Sequence, residues 1–253
     1  MTVKDKILQG RTYLGIELGS TRIKAVLIDD SFSVIASGSK QWENRFENGC
    51  WTYSLDDIHG GIQACYKDLA ENVKAQYGIY PETYGAMGIS AMMHGYMAFD
   101  KNDKLLVPFR TWRNTMTAQA AGELTKLLGF NIPQRWSIAH LYQAVLNKEA
   151  HVPYIAYINT LAGYVHKRLT DRFEVGVGEA SGIFPVEGIG YKKEYCEPTE
   201  KSLAEKGFDH KLKDILPAVR NAGGKGAVLT EEGAKFLDPE GRLKAGVPVC
   251  PPE

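Results

Sequence analysis

The N-terminal part of the chain alternates between apolar and polar positions in three short runs. These runs, at residues 13–17, 23–28 and 34–39, are rich in β-branched and aromatic residues, and turns containing Gly, Ser and Asp separate them. An alternation with a period of two predicts β-strands. Because few residues connect one run to the next, we expect antiparallel neighbours that form a three-stranded meander.

The pattern then changes to the period of a helix. Apolar residues stand at positions 58, 62, 65, 69 and 73, which places them on one face of a helix that ends near Tyr77. Ser54 precedes this segment, and Asp56 and Asp57 lie in its first turn. This combination is typical of a capped helix N-terminus.

Strands and helices continue to alternate beyond this helix. The further predicted elements are a strand at 84–90, helices at 116–128 and 139–146, a strand at 154–158, a helix at 159–169, short helices near 201–206 and 230–236, and a strand at 247–250. The Gly-rich segment at 173–192 is interpreted as irregular. The order βββ, then αβααβα, predicts an α/β fold with a mixed sheet covered by helices.

Composition excludes several classes of protein. Lys and Arg number 30, Asp and Glu number 30, and the formal net charge is zero, so no basic field favours nucleic acid. No apolar run approaches the roughly 18 residues of a membrane-spanning helix. The four cysteines are scattered, without CxxC pairs or metal-ligand spacing, which indicates reduced thiols in a cytoplasmic protein.

The turn between the first two predicted strands has the residues of a phosphate-binding loop. Gly19 allows a ligand to approach the backbone closely, and the amides and hydroxyls of Ser20 and Thr21 can form an anion-binding concavity. Lys24 adds a positive charge. The Walker A pattern GxxxxGK[ST] is absent from the sequence. A polar hairpin turn without a ligand is the competing interpretation.

Two later segments have the residues of a sugar site. Met93 and His94 follow the strand at 84–90, where a histidine beside glycine can point into a cleft and bond a hydroxylated ligand. Trp112 can pack against the C–H face of a sugar, and Asn114 can bond its hydroxyls. A satisfied structural histidine and a core tryptophan are the alternatives. The segment GEASG at 178–182 indicates, alone, only a turn.

The order and separation of these segments resemble the FGGY carbohydrate kinases, and among them the xylulokinase-like members. The matching segments are [DE]xGT[ST]xx[KR] at 17–24, GQMHG at 91–95, WxDxR at 112–116, D-A-[AS]-G at 179–182 and G-x-[LV]-[ST]-x-x-x-A at 226–234. The resemblance spans residues 12–250, nearly the whole chain.

The resemblance implies a ribonuclease H-like, actin-type fold that opens with a βββαβαβα unit. Residues 1–11 would be an N-terminal extension and residues 12–253 the sugar-side domain, with the ATP-binding C-terminal domain absent. The implied cofactors are ATP and Mg²⁺. The implied site residues are Glu17 for the metal, Gly19, Ser20, Thr21 and Lys24 for the phosphates, and Met93, His94, Trp112 and Asn114 for the sugar. The catalytic aspartate is expected just beyond Glu253.

Four of the departures from the family pattern bear on the expected site. Glu17 stands in place of the usual Asp, and Met92 in place of Gln. Asn114 and Met116 replace the Asp and Arg of WxDxR. The last three changes remove hydrogen bonds and charge from the expected sugar pocket, so xylulose is not predicted as the substrate.

The resulting hypothesis is that the intact protein phosphorylates a sugar or polyol with Mg-ATP, and that this chain is inactive alone. The face left open by the missing domain could support a homodimer. A non-catalytic sugar-binding or regulatory module is the first alternative. An actin-like ATPase that releases phosphate to water is the second.

Overall fold

A computed structural model of the chain describes residues 1–224 and 226–253. Its helices are α1 (Val3–Leu8), α2 (Leu55–Tyr77), α3 (Ala118–Leu128), α4 (Ser137–Leu146), α5 (Leu161–Thr170), α6 (Val177–Ala180), α7 (Lys193–Glu205), α8 (Leu212–Ile215) and α9 (Glu231–Leu237), with a 3₁₀ turn at Val152–Tyr154. Its strands are β1 (Thr12–Leu18), β2 (Arg22–Asp29), β3 (Val34–Gln41), β4 (Arg45–Glu47), β5 (Cys50–Thr52), β6 (Ala86–Ala91), β7 (Met97–Phe99), β8 (Tyr157–Asn159), β9 (Glu174–Gly176), β10 (Val186–Glu187), β11 (Gly190–Tyr191), β12 (Ala218–Arg220), β13 (Ala227–Val228) and β14 (Pro248–Val249).

The predicted meander and the helix that follows it are confirmed. β1, β2 and β3 pair antiparallel in sequence order. The Ser54 hydroxyl accepts a hydrogen bond from the Asp57 amide, and the Asp57 carboxylate accepts one from the Ser54 amide. This capping box fixes the start of α2, whose apolar face covers the buried face of the meander.

A six-stranded mixed sheet organises the molecule. Its strand order is β13-β14-β6-β1-β2-β3. β6 runs parallel to β1, with Leu18 beside Ala91, and β14 runs parallel to β6 on its other side. Three neighbouring strands therefore end at the same edge of the sheet.

The buried apolar residues form two clusters. The first lies between the sheet and helices α2, α5 and α9. The second joins α3, α4, α7 and α8, and it includes Tyr96 and Phe184. The connection between β6 and β7 passes from the first cluster to the second. Met92 packs against the first cluster, and Tyr96 belongs to the second.

The structure adds elements that the sequence pattern did not predict. The hairpin β4–β5 lies in the segment between the meander and α2, and the segment interpreted as irregular contains β9, α6, β10 and β11. The short helix expected near 201–206 is the longer α7, with Pro198 inside it. The helix predicted from Asn159 is capped instead by the Thr160 hydroxyl, which accepts from the Gly163 amide.

The helices of the described residues include none that is both long enough and apolar enough to cross a membrane.

Close packing of β3 on α2 predicts opposite effects for two glycine substitutions. A Cβ on Gly38 would lie 2.4 Å from the Leu69 amide nitrogen and 2.5 Å from the Cys65 carbonyl oxygen. Because both are backbone atoms of α2, we expect Gly38→Ala to lower the free energy of unfolding by about 3 kcal/mol or more.

Gly60 is the matched control, because it is an exposed glycine of α2 with nothing within 4 Å of an added Cβ. Gly60→Ala should raise the free energy of unfolding by about 0.5–1 kcal/mol through helix propensity. Urea denaturation of both variants measures the two effects. Equal stability of the two variants would contradict the packing of β3 on α2.

Candidate functional site

Two of the segments predicted to bind ligands meet at the carboxyl edge of the parallel strands. The turn at 19–21 follows β1, and the segment at 92–95 follows β6. The Met92 amide donates to the Leu18 carbonyl over 3.0 Å and ties the two segments together. The C-terminal residues also run along β6, since the Glu253 amide donates to the Ile89 carbonyl over 3.2 Å. The carboxyl ends of parallel strands are the usual place for a ligand crevice.

The turn after β1 is held from behind by two aromatic side chains. The Trp42 indole donates to the Gly19 carbonyl over 2.6 Å, and the Tyr53 hydroxyl donates to the Ser20 carbonyl over 2.5 Å. The Gly19 amide closes the turn on the Arg22 carbonyl at 3.1 Å. The Gly19 and Ser20 carbonyls and the Gly19 amide therefore already have hydrogen-bond partners. Ser20 and Thr21 are exposed residues, and their amides and hydroxyls are left to bind a phosphate.

His94 lies in a backbone conformation that non-glycine residues seldom adopt. Its φ is 69°, and that of Gly95 is 103°. A Cβ on Gly182 would lie 2.5 Å from the His94 Nδ1 atom, so the glycine of the GEASG segment makes room for the ring. The Gly95 amide donates to the Arg135 carbonyl over 3.2 Å, and the Ser137 hydroxyl donates to the Gly95 carbonyl over 2.6 Å.

The electrostatic environment of His94 favours a neutral ring. Burial lowers the pKa of His94, and the positive charge of Arg135 lowers it further. A neutral imidazole has one donor nitrogen and one acceptor nitrogen. Such a ring can bond a sugar hydroxyl, which also donates and accepts.

Trp112 lies at the same end of a short antiparallel bridge as His94. Tyr96 and Arg110 form that bridge, exchanging amide–carbonyl bonds of 2.9 and 3.0 Å. Trp112 is 44% exposed and Met93 is 40% exposed. Both side chains are therefore available to a ligand.

Asn114 has a different environment from its neighbour Trp112. It is 3% exposed. Its carboxamide accepts from the Trp51 amide over 2.9 Å and donates to the Trp51 carbonyl over 2.8 Å. These bonds join the tryptophan segment to the hairpin β4–β5 and leave the side chain behind the exposed surface.

A groove of about 430 Å³ runs along the uncovered face of the sheet next to the first turn. Glu17, Lys24, Ser90 and Glu253 are the polar residues that line it. Lys24 Nζ lies 3.2 Å from a Glu17 carboxylate oxygen, and both side chains are about half exposed. Gly15 supplies part of the apolar floor, with nothing within 4 Å of an added Cβ.

Two acidic residues near this edge were not predicted from the sequence. The Glu253 carboxylate lies against Gly176 and Gly178, where an added Cβ would stand 2.0 and 2.3 Å from its oxygens. Glu179 is 1% exposed, and neither carboxylate oxygen has a hydrogen-bond partner among the described residues. Burial raises the pKa of Glu179 to about 7, and the nearby charge of Glu253 acts in the same direction. The three glycines at 176, 178 and 182 were the sequence signal of this packing.

The family model described as "FGGY family of carbohydrate kinases, N-terminal domain" matches residues 12–250. The chain belongs to the FGGY family of carbohydrate kinases.

Individual relatives of this FGGY chain are distant in sequence. Over 124 residues the chain is 23% identical to a xylulose kinase of Lactococcus lactis. The aligned stretch covers 46% of this chain and 23% of that protein. The crystal structure of xylulose kinase from Rhodospirillum rubrum superposes with a TM-score of 0.75 at 18% identity, covering 96% of this chain and 49% of that one. The crystal structure of Plasmodium falciparum glycerol kinase with ADP superposes with a TM-score of 0.69 at 14% identity. That superposition covers 95% of this chain and 48% of the glycerol kinase chain.

The chain thus spans about half the length of the solved kinases that it matches. Their fold is the actin-like ATPase fold, and the α/β architecture with a mixed sheet expected from the sequence is confirmed.

A magnesium ion, which the family resemblance implies, would find few protein ligands in this FGGY domain. Within the described residues, no three His, Cys, Asp or Glu side chains are grouped to hold a metal. Glu17 and Glu253 nevertheless line one groove. One or two carboxylates, completed by phosphate oxygens and water, suit Mg²⁺ better than a cage of protein ligands does.

The burial of Glu179 predicts a pH-dependent effect on stability. Its folded pKa of about 7 lies above the ordinary value of 4.5. The contribution of the protonated Glu179 carboxyl to the free energy of unfolding is therefore fully present below pH 4.5. It is lost as the pH rises through 7. Glu179→Gln is neutral at every pH, so its stability relative to the wild type should rise by about 2 kcal/mol between pH 5 and pH 8.

Urea unfolding of both proteins at the two pH values measures this difference. Glu187→Gln, at an exposed position, is the control and should show no comparable change. A stability gap that stays constant with pH would show that Glu179 is charged in the folded protein.

Proposed function

We propose that this chain is the sugar-side domain of a cytoplasmic kinase that transfers the γ-phosphoryl group of Mg-ATP to a hydroxyl of a sugar or polyol. One observation carries the proposal: in a member of the FGGY family, the 19–21 turn and the His94 segment leave parallel strands at one edge and are joined by the 3.0 Å bond from Met92 to Leu18. This bond supports the proposal because it joins the turn assigned to phosphate with the histidine assigned to a hydroxyl.

Each side of the proposed site has a distinct task. Ser20 and Thr21 offer amide and hydroxyl donors to the phosphates, and Lys24 adds a positive charge. Neutral His94 holds a hydroxyl of the acceptor, while Trp112 and Met93 cover its C–H surface. Asn114 contributes by fixing the Trp112 segment to β5. Phosphoryl transfer depends mostly on such positioning and on charge stabilisation.

The magnesium ion would neutralise charge on the transferring phosphate. We infer that Glu17 faces this ion across the groove, because its carboxylate is exposed there beside Lys24. Glu253 lines the same groove. The general base, an aspartate by resemblance, and the adenine site belong in our proposal to a second domain and its crossover, in line with relatives about twice as long as this chain.

The first test is catalytic. If the general base and most of the nucleotide site lie outside this chain, the purified 253-residue protein should form no sugar phosphate from ATP. Incubation with a panel of pentoses, hexoses and polyols, followed by assays of both ADP and sugar phosphate, measures this. Sugar phosphate formation would show that the chain is a complete kinase. ADP formation without sugar phosphate would favour a sugar-independent ATPase.

The second test is binding. A neutral hydrogen bond contributes about 0.5–1.5 kcal/mol, so His94→Ala should weaken the binding of the best sugar about three- to tenfold. Isothermal titration of the wild type and the variant measures the two dissociation constants. His210→Ala is the control, because His210 is exposed and its ring packs beside Phe208, away from the proposed site. An unchanged constant for His94→Ala would remove His94 from the site.

A further inference from the structure

A short antiparallel bridge carries the two segments that bear His94 and Trp112. Its members are Tyr96 and Arg110, which exchange amide–carbonyl bonds of 2.9 and 3.0 Å. His94 precedes Tyr96 by two residues and Trp112 follows Arg110 by two, so both leave the antiparallel bridge at the same end. The position of both proposed sugar contacts therefore depends on this bridge.

The side chain of Arg110 ties one half of the bridge to the end of α4. Its guanidinium makes two bonds to the Glu149 carboxylate, one of 3.3 Å from Nη1 and a second from Nη2. The Glu149 amide in turn donates to the Ala144 carbonyl of α4 over 3.0 Å. Two parallel bonds between planar groups fix orientation as well as distance.

His151 connects the same carboxylate to the other half of the bridge. Its Nδ1 atom lies 3.5 Å from a Glu149 carboxylate oxygen, and its Nε2 atom shares a hydrogen bond of 2.9 Å with the Tyr96 hydroxyl. The path from Arg110 through Glu149 and His151 thus returns to Tyr96 and closes. These four side chains form what we call the bridge network. Tyr96, Arg110 and His151 are each buried, so solvent screens their contacts weakly.

Helix α4 also holds the bridge from its first residue. The Ser137 hydroxyl donates to the Gly95 carbonyl over 2.6 Å, and Gly95 is the neighbour of His94. The helix thus contacts one half of the bridge through its first residue and the other half through Glu149, just beyond its last turn.

A buried ion pair of this kind fixes geometry more than it adds stability. Apolar residues of the same volume are often as stabilising, because both charges lose their hydration on burial. What the pair between Arg110 and Glu149 adds is one defined arrangement of the bridge, and with it the direction in which the two segments leave.

We propose that Tyr96, Arg110, Glu149 and His151 are positioning residues, which hold His94 and Trp112 in the arrangement that binds the acceptor. This inference rests on the proposed sugar site and names the residues that set its geometry. A break in the network lets the two segments sample more arrangements. The apparent dissociation constant then rises in inverse proportion to the fraction of molecules that is competent to bind.

The first test removes one hydroxyl and keeps the packing. D-xylulose, D-fructose, D-glucitol and glycerol are the probes, each titrated calorimetrically into the 253-residue chain. Tyr96→Phe opens the network between Tyr96 and His151, and it should weaken the tightest-binding probe about threefold or more. The expected loss arises although the hydroxyl is bonded inside the protein and not to a ligand.

Tyr142→Phe is the matched control. Tyr142 is 2% exposed in the same apolar cluster as Tyr96, and its hydroxyl shares a hydrogen bond of 2.7 Å with that of Ser202. Each variant loses one buried hydroxyl, so each should lower the melting temperature by about 2–4 °C. Only Tyr96→Phe should raise the dissociation constant of the probe.

The second test removes the ion pair without leaving one charge alone in the interior. The double variant Arg110→Met/Glu149→Met replaces both charged side chains by apolar ones of similar length, so its melting temperature should stay near that of the wild type. Its dissociation constant should still rise about threefold or more. Arg110→Lys keeps the charge but not the two parallel bonds, and should lie between the double variant and the wild type.

Hydrogen exchange gives a readout that needs no ligand. The Tyr96 and Arg110 amides form the bridge, and they should exchange faster in Tyr96→Phe than in the wild type. Tyr142→Phe should leave their exchange unchanged. Unchanged exchange in Tyr96→Phe would show that the network does not hold the bridge.

Three binding results would also overturn the inference, and they can be told apart. Wild-type affinity in Tyr96→Phe or in the double variant would show that the network does not position the site. Equal weakening by Tyr142→Phe would show that overall stability controls binding. If the wild-type chain binds none of the probes, the proposed sugar site fails first and the inference falls with it.

Discussion

The candidate site depends on the parallel pairing of β1 with β6. Leu18 and Ala91 are neighbours at the ends of these strands, so both chains leave the sheet at one edge. β14 joins β6 in the same direction and brings Glu253 to that edge as well. A slip of one residue in the pairing would exchange the buried and exposed faces of β1, and the groove beside Gly15 would fill with apolar side chains.

Backbone strain at His94 is sustained by contacts on three sides. A left-handed conformation at a non-glycine residue costs free energy and persists only where the surroundings determine it. Here Gly182 leaves room for the ring, and the carbonyl of Arg135 and the hydroxyl of Ser137 fix Gly95. These contacts come from residues about forty and ninety positions away in sequence. A strained backbone that several distant segments hold in place is more typical of a ligand site than of packing alone.

The parts of the fold that could be predicted are those encoded locally. The alternation in β1–β3, the helical period of α2 and its Ser54 cap are properties of neighbouring residues, and the structure confirms them. The burial of Glu179 and the backbone bonds of Asn114 were not predicted, because both depend on segments distant in sequence. No spacing rule marks a glutamate as buried when the segment around it looks like a polar turn. The hairpin β4–β5 was missed for the opposite reason, since each of its strands has only three residues, too few to show a period.

The amide at position 114 can be understood through the two bonds that it makes to one backbone unit. An aspartate at this buried position could accept from the Trp51 amide, but as a carboxylate it could not donate to the Trp51 carbonyl. An amide keeps the backbone bond to the hairpin because it both donates and accepts. The amide at 114 therefore fixes the tryptophan segment to the hairpin β4–β5 without burying a charge at a position that is 3% exposed. The exposed side chain of Trp112 thus stands on a backbone that residues some sixty positions earlier in the sequence hold in place.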